Sequence, residues 1–387
     1  MEGPDEQYRA STDVHNLEVA NGSEVATQPP VEAEDIATIQ DHTDGVVRIA
    51  LSPDGQYIAS GSYDNTVILR NGTTGVIIHK HLEQDGYVSA LAFSPTNNHL
   101  CTGTSNGTIL VWDLETRSVM IHLRGHASYI SNAQYSLDGR RILTSSFDSS
   151  VGVWDAETGA LIYKLEVQPD IVTLSAIYSP DGAWIATWSI DGLVRIWHAE
   201  NGTHHRTLAA HKGVVWSIAF SPDSRRLITG SDDSSSRIWD VKTGESLFVL
   251  HEHKGPVWHV AFSPEGKHVL SVGRDGMIKV CESYTANCKH TFHTQHVSPK
   301  SSALFSPDGQ WIASSGADNA IVMWNVETGE SLPAMNGHTD IVTDLQLSPK
   351  GDIVVSGSED GSVRIWTLPT SRGTSREYPA DEAGISK

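Results

Sequence analysis

Short runs of apolar and β-branched residues alternate with polar turns from about residue 35 to residue 369, and the segment 130–165 shows the pattern in full. Ile130 to Tyr135, Arg141 to Ser145, Val151 to Asp155 and Leu161 to Leu165 read as strands. Leu137-Asp138-Gly139, Phe147-Asp148-Ser149 and Glu157-Thr158-Gly159 read as the turns between them. Asp-Gly and Thr-Gly turns supply the positive φ angles that tight hairpins need, so the pattern predicts four antiparallel strands in sequence.

The unit recurs. Ser-Pro-Asp-Gly or a close variant begins at Ser52, Ser94, Ser136, Ser179, Ser221, Ser263, Ser306 and Ser348, always 42 or 43 residues apart. Eight units of four short strands at this period are the pattern of propeller blades. The prediction is an all-β, eight-bladed β-propeller with four antiparallel strands per blade. A length of 387 would by itself suggest two or three domains, but the fixed period makes residues 35–369 one ring.

Superposing the Ser-Pro turns aligns four columns. Ten residues before the turn stands a histidine in six units: His42, His126, His211, His253, His296 and His338. A hydroxyl follows in every unit (Ser60, Thr102, Thr144, Thr187, Thr229, Ser271, Ser314, Ser356), and four residues later comes Asp64, Asn106, Asp148, Asp191, Asp233, Asp275, Asp318 or Asp360. Six residues further, six units carry Trp112, Trp154, Trp197, Trp239, Trp324 or Trp366. With these columns the chain resembles the WD-repeat family over about residues 35 to 369.

That resemblance implies a relay from indole N–H to hydroxyl to histidine to aspartate within a blade. An indole only donates, a hydroxyl does both and a neutral imidazole bridges, so such a chain closes without an orphan. Four units carry the full set: His126, Thr144, Asp148 and Trp154; His211, Thr229, Asp233 and Trp239; His296, Ser314, Asp318 and Trp324; His338, Ser356, Asp360 and Trp366. Units one, two, four and six depart from it, with Arg70 or Cys281 for Trp, Gln84 or Pro169 for His, and Asn106 for Asp. These blades are expected to depend more on sheet and inter-blade packing than on the relay. The last unit lacks a fourth strand after Trp366, and Ile36 to Gln40 precedes the first unit where one would lie. Pairing the two ends would close the ring and remove two sheet edges.

Charge divides the chain further. Lys and Arg number 27 against 47 Asp and Glu, a formal charge of −20. Residues 1–35 hold nine of those acids and one base, without apolar periodicity, so residues 1–34 are expected to form an acidic disordered arm and 370–387 a flexible tail. The acidity argues against direct nucleic-acid binding, which draws its affinity from neutralising phosphates. No apolar run is long enough to span a bilayer and the N-terminus lacks a secretory signal, so an intracellular protein without membrane contact is expected. Cys101, Cys281 and Cys288 are too few for a disulfide framework and read as reduced.

Candidate chemistry is sparse. Gly103-Thr104-Ser105-Asn106-Gly107 matches the G-x-S-x-G pattern, but it falls on a turn between two strands rather than on a strand-to-helix elbow. Six of the 19 histidines belong to the aligned column, and no Cys/His cluster has zinc-site spacing. No catalytic residue, metal or cofactor is therefore assigned. The resemblance also implies three partner-contacting positions per blade: three and five residues after the histidine column, and the residue before the turn acid. Carried onto this chain they select Tyr63, Tyr87, Tyr129 and Phe147 over blades one to three, and Trp216, Trp258, Asp232 and Arg274 over blades five and six, with Glu359 in blade eight. Tyr and Trp combine large apolar area with a polar tip and dominate interface hot spots. The expectation is a non-enzymatic scaffold, a monomeric ring that binds proteins or peptides on its rim within a multiprotein regulatory complex. Fungal and other eukaryotic regulatory propellers, among them corepressors and histone-modifying-complex subunits, are the nearest likeness. A ubiquitin-ligase substrate adaptor and, from a different class, a propeller enzyme with a channel-mouth site are the alternatives.

Overall fold

The computed structural model describes residues 34–168, 171–209, 211–251, 253–295, 298 and 302–368. The proposed arm (1–34) and tail (370–387) therefore lie almost wholly outside the described residues, as do His296 and Pro169. Among the described residues the strands form eight sheets, one per repeat, all paired antiparallel. In blade 3 the strands are a (Ile130–Tyr135), b (Arg141–Ser146), c (Ser150–Asp155) and d (Leu161–Glu166), within one residue of the sequence reading at each boundary.

Local chemistry explains the sharp ab turns. In blade 1 the Ser52 hydroxyl donates to Asp54 Oδ1 at 2.6 Å and accepts from the Tyr57 amide at 2.9 Å, while Gly55 takes φ +73°. The same serine-to-aspartate bond recurs at Ser136, Ser179, Ser221 and Ser306. A proline between the two residues, replaced by Leu137 in blade 3, pre-sets the turn, so the motif nucleates the hairpin locally.

The ring closes through its first strand. Glu34–Gln40 pairs with Ser362–Thr367, with Gln40 opposite Ser362 and Glu34 opposite Thr367, and so becomes strand d of blade 8. Blade 7 departs from the four-strand pattern. Its strands are Ser302–Phe305, Trp311–Ser315 and Ile321–Asn325, and strand d shrinks to two bridges, Ile321 with Met335 and Trp324 with Ser331. Pro333 lies between the bridges and has no amide to donate to a ladder.

The core is a ring of seams, each shared by two blades. One apolar cluster joins Ala90, Cys101, Val111 and Leu123 of blade 2 to Ile130, Ala133, Ile142 and Trp154 of blade 3, and equivalent clusters fill the other seams. Close approach demands small residues on strand b: a Cβ at Gly61, Gly103, Gly230 or Gly357 would fall 2.4–2.8 Å from Val88, Ile130, Val257 or Val46 of the next blade. Blade 4 carries Trp188 in that column. It is buried against blade 5, and strand a of blade 4 stands further from its neighbour than at the other seams.

Cys281 and Cys288 are disulfide-bonded, which overturns the reading of all three cysteines as reduced. They face each other across the cd hairpin of blade 6, with Cα atoms 3.7 Å apart. The count of cysteines speaks to the compartment, whereas hairpin register decides which two sulfurs meet. Cys101 is buried and free, and burial pushes its thiol up to about 12.

Candidate partner-binding rim

One edge of the ring is built by the bc turns and by the loops that lead from each blade's outer strand to the next inner one. A hydrogen-bonded scaffold holds this edge. In blade 3 Trp154 Nε1 donates to Thr144 Oγ1 at 2.8 Å, His126 Nε2 lies 2.9 Å from the same hydroxyl, and His126 Nδ1 lies 3.0 Å from Asp148. Asp148 also accepts the Ala127 amide at 3.0 Å, which ties the loop to the turn. Blade 5 repeats this through Trp239, Thr229, His211 and Asp233, and blade 8 through Trp366, Ser356, His338 and Asp360. In blade 7 Trp324 donates to Ser314 at 2.8 Å, while His296 is outside the described residues and Asp318 has further partners.

Burial sets the protonation of these groups. Desolvation lowers the pKa of His42 and of His211 below 6.5 despite the aspartate beside each, so both are held as neutral imidazoles. Asp233 shows the opposite balance: burial would raise its pKa, but hydrogen bonds from Ser235, the Lys212 amide and His211 bring it down to about 2.

The departing blades keep more of the network than the sequence suggested. In blade 1 the fully buried Arg70 replaces the indole. Its guanidinium donates to Ser60 at 3.0 Å and to Asp41 at 3.1 Å, while His42 still bridges Ser60 and Asp64. Gln84 of blade 2 accepts from Thr102 at 3.1 Å, which in turn receives Trp112 Nε1 at 3.1 Å. Arg195 of blade 4 donates to Gln168 and Asp191. Blade 6 retains His253 between Ser271 and Asp275 without an indole donor. These bonds add substitute hydrogen bonding to the sheet and inter-blade packing on which the four blades are expected to depend more than on the relay. Arg70 and Gln84 stand in the columns they replace, Arg70 with Asp41 as a further partner, and Arg195 acts from outside the four columns, so three-dimensional proximity is needed to show these bonds.

On this scaffold the aromatic side chains of blades 1–3 form an unbroken row. Ring centroids are 5.1 Å apart for Tyr63 and Tyr87, 6.0 Å for Tyr87 and Tyr129, and 4.7 Å for Tyr129 and Phe147. These are tilted contacts at distances where ring pairs attract. The outer members, Tyr63 and Phe147, are 37% and 39% exposed, and the inner two are half-buried. Glu359 adjoins the row at Gly45, where a Cβ would meet Glu359 Cα at 3.1 Å and the Tyr63 ring at 3.3 Å. Burial raises the phenol pKa of Tyr87 and of Tyr129, so both hydroxyls remain protonated donors near neutral pH.

The second set sits differently. Strand a of blades 1–6 and 8 carries a bulge at its second residue, and in blades 5 and 6 the bulged residues are Trp216 and Trp258. A bulge re-aims one side chain away from the ladder. Trp216 is 42% exposed and its Nε1 donates to Asp232 Oδ1 at 2.6 Å, whereas Trp258 is half-buried. Among the described residues neither ring touches another aromatic. Arg274 is exposed in the adjoining turn.

The ring's axis is lined by strand a, whose polar side chains bind backbone of the following blade. Arg48 Nε donates to Ser89 O, Asn132 Nδ2 to Ala176 O, and Asp344 Oδ2 accepts the Ile49 amide. These groups are engaged in closing the ring. Among the described residues no three His, Cys, Asp or Glu side chains are placed to hold a metal ion, and no helix is long and apolar enough to cross a membrane. Ser105 lies in the bc turn of blade 2 and contacts Asn106.

Comparison with known proteins agrees with this architecture. The family model "WD domain, G-beta repeat" (WD40) matches at residues 33–71, 74–113, 117–155, 159–198, 202–240, 244–282, 286–325 and 329–367. The chain is similar to a computationally designed protein, Ika8, whose crystal structure superposes with a TM-score of 0.75 at 26% identity, covering 86% of this chain and 99% of that one. A segment of 48 residues, 12% of this chain, is 46% identical to Protein ROOT INITIATION DEFECTIVE 3 of Arabidopsis thaliana and spans only 11% of that relative. Eight matched repeats, each folded as one blade, establish that the chain belongs to the WD40 family of β-propellers.

Proposed function

We propose that this propeller is a non-enzymatic scaffold that binds peptide segments of partner proteins across the rim described above, as one monomeric ring within a multiprotein regulatory complex. WD40 propellers are typical protein-interaction scaffolds, and that general role applies to this chain as a family member. The observation that carries the finer reading is the row Tyr63, Tyr87, Tyr129 and Phe147. It spans three blades, stays partly open to solvent and sits on a rigid framework. Aromatic side chains lose little conformational freedom on binding and contribute large contact area, so a pre-assembled row is suited to gripping a partner. Trp216, Asp232, Trp258, Arg274 and Glu359 extend the contact surface around the same edge.

A corepressor or histone-modifying complex, or a ubiquitin-ligase adaptor role, would each use the same rim. Capture of the tagged chain from its source cells followed by mass spectrometry distinguishes them. The expected result is a defined set of partners with wild type that disappears with Tyr87→Ala/Tyr129→Ala at unchanged fold. Full retention by that variant would refute the row as the binding surface.

A further inference from the structure

Charge divides the rim into two sectors. On blades 8, 1 and 2 the exposed loop residues include Asp340, Asp44 and Asp85, beside the tyrosines. On blades 5 and 6 the exposed residues of the corresponding loops and bc turn include Lys212, Lys254 and Arg274. Among the described residues these three cations have no side-chain partner. The Lys212 and Lys254 backbone amides donate to Asp233 and Asp275, which holds the loops in place while both residues stay exposed. Asp233 and Asp275 themselves face His211 and His253. Among the described residues of the sector, Asp232 accepts the Trp216 N–H. Three exposed cations without a side-chain partner among the described residues are unexpected on a chain of net charge −20, because solubility does not require them.

Resting on the peptide-binding reading of the rim, we infer that blades 5 and 6 dock an acidic segment of a partner protein, with carboxylates over Lys212, Lys254 and Arg274 and apolar side chains against Trp216 and Trp258. Charge complementarity selects the occupant. The cations are spread over two blades with Asp232 among them, which suits carboxylates spaced along a peptide. A phosphate group concentrates about two charges and three acceptors at one point, which favours clustered arginines, and Asp232 would repel it. The tryptophans supply apolar area and the cations supply steering and register.

The probe is a fluorescein-labelled peptide of sequence EEFEEFEEFEEF, titrated with the full chain by fluorescence anisotropy. Wild type is expected to bind saturably, with affinity falling as salt rises. The triple variant Lys212→Glu/Lys254→Glu/Arg274→Glu weakens binding by roughly tenfold or more, Trp216→Ala weakens it as well, and Lys242→Glu, at the exposed cd turn of blade 5 outside the rim, leaves it unchanged. The three cations are exposed, and Lys→Gln and Arg→Gln versions check that charge and not folding causes the loss. Absence of saturable binding, indifference to the triple variant, or an equal loss with Lys242→Glu would overturn the assignment. So would tighter binding of KKFKKFKKFKKF, or of a phosphoserine peptide by tenfold or more. The scaffold reading is tested separately, because it falls only if the tyrosine variant retains its captured partners.

Discussion

The rim over blades 1–3 and the rim over blades 5–6 place aromatic residues at corresponding positions, yet they hold them by different means. Each ring of the first region is braced by the next, from Tyr63 through to Phe147. In the second, Trp216 is fixed by one hydrogen bond to Asp232 and Trp258 by partial burial. The first surface is therefore collective, and the second is made of separate anchors among cations. The blades beneath differ in parallel: blade 1 uses the buried Arg70 as donor, while blade 5 uses Trp239 in the full relay. One edge of the fold can thus be maintained with either a guanidinium or an indole as the donor to the hydroxyl.

Removing the ion pair gives the largest expected effect. Arg70→Ala leaves Ser60 and Asp41 without their donor and opens a hole in a fully buried site, at a cost of about 3–5 kcal/mol read by thermal or urea unfolding. A loss below about 1 kcal/mol would show that blade 1 does not depend on it. Thr229→Val in blade 5 strips the acceptor from Trp239 and the partner from His211, and is expected to cost about 2–4 kcal/mol. A larger cost for Thr229→Val than for Arg70→Ala would reverse the order expected of the two frameworks.

Binding comes next in size. Tyr87→Ala/Tyr129→Ala breaks the row at its centre and should weaken the captured partner by at least roughly tenfold, about 1.4 kcal/mol. Phe147→Ala removes only the end ring and should do less. If the single end substitution matches the double, the row is not collective.

Acid acts on both frameworks in the same direction and more gently. Neutral imidazole is favoured in the fold for His42 and His211, so their contribution is intact above pH 6.5 and declines as pH falls through their lowered values. Asp233, with its pKa at about 2, contributes above about pH 4 and loses that contribution between about pH 4 and 2. Unfolding midpoints are therefore expected to fall from pH 7 to pH 5 and again below pH 4. A midpoint that rises over the first interval would contradict the histidine assignment. The smallest effect is Asp232→Asn, which weakens the tether on Trp216 and should change stability by less than about 1 kcal/mol while altering Trp216 fluorescence.

Much of this architecture was legible in the chain because it repeats. The Ser-Pro-Asp-Gly turns and the closing strand at Ile36–Gln40 follow from local chemistry and from counting. What stayed hidden depends on proximity between distant residues. Arg70 reaches Asp41 across the blade from the tryptophan column, and Arg195 reaches Gln168 from a position two residues before it, pairings that the repeat does not contain. The Cys281–Cys288 bond needed the hairpin register, and the shortened strand d of blade 7 required weighing Pro333 against the repeat. At the rim, the sequence offered Tyr63, Tyr87, Tyr129 and Phe147 as separate residues. That they touch in one row is a property of blade curvature, which no single repeat contains.

Hydrogen–deuterium exchange of the chain with and without its captured partner tests the rim most directly. Protection is predicted at the loops and bc turns of blades 1–3, in peptides containing Tyr63, Tyr87, Tyr129 and Phe147, with the ab turns at Ser52, Ser94 and Ser136 unchanged. Protection confined to those Ser-Pro turns on the opposite edge would contradict the account.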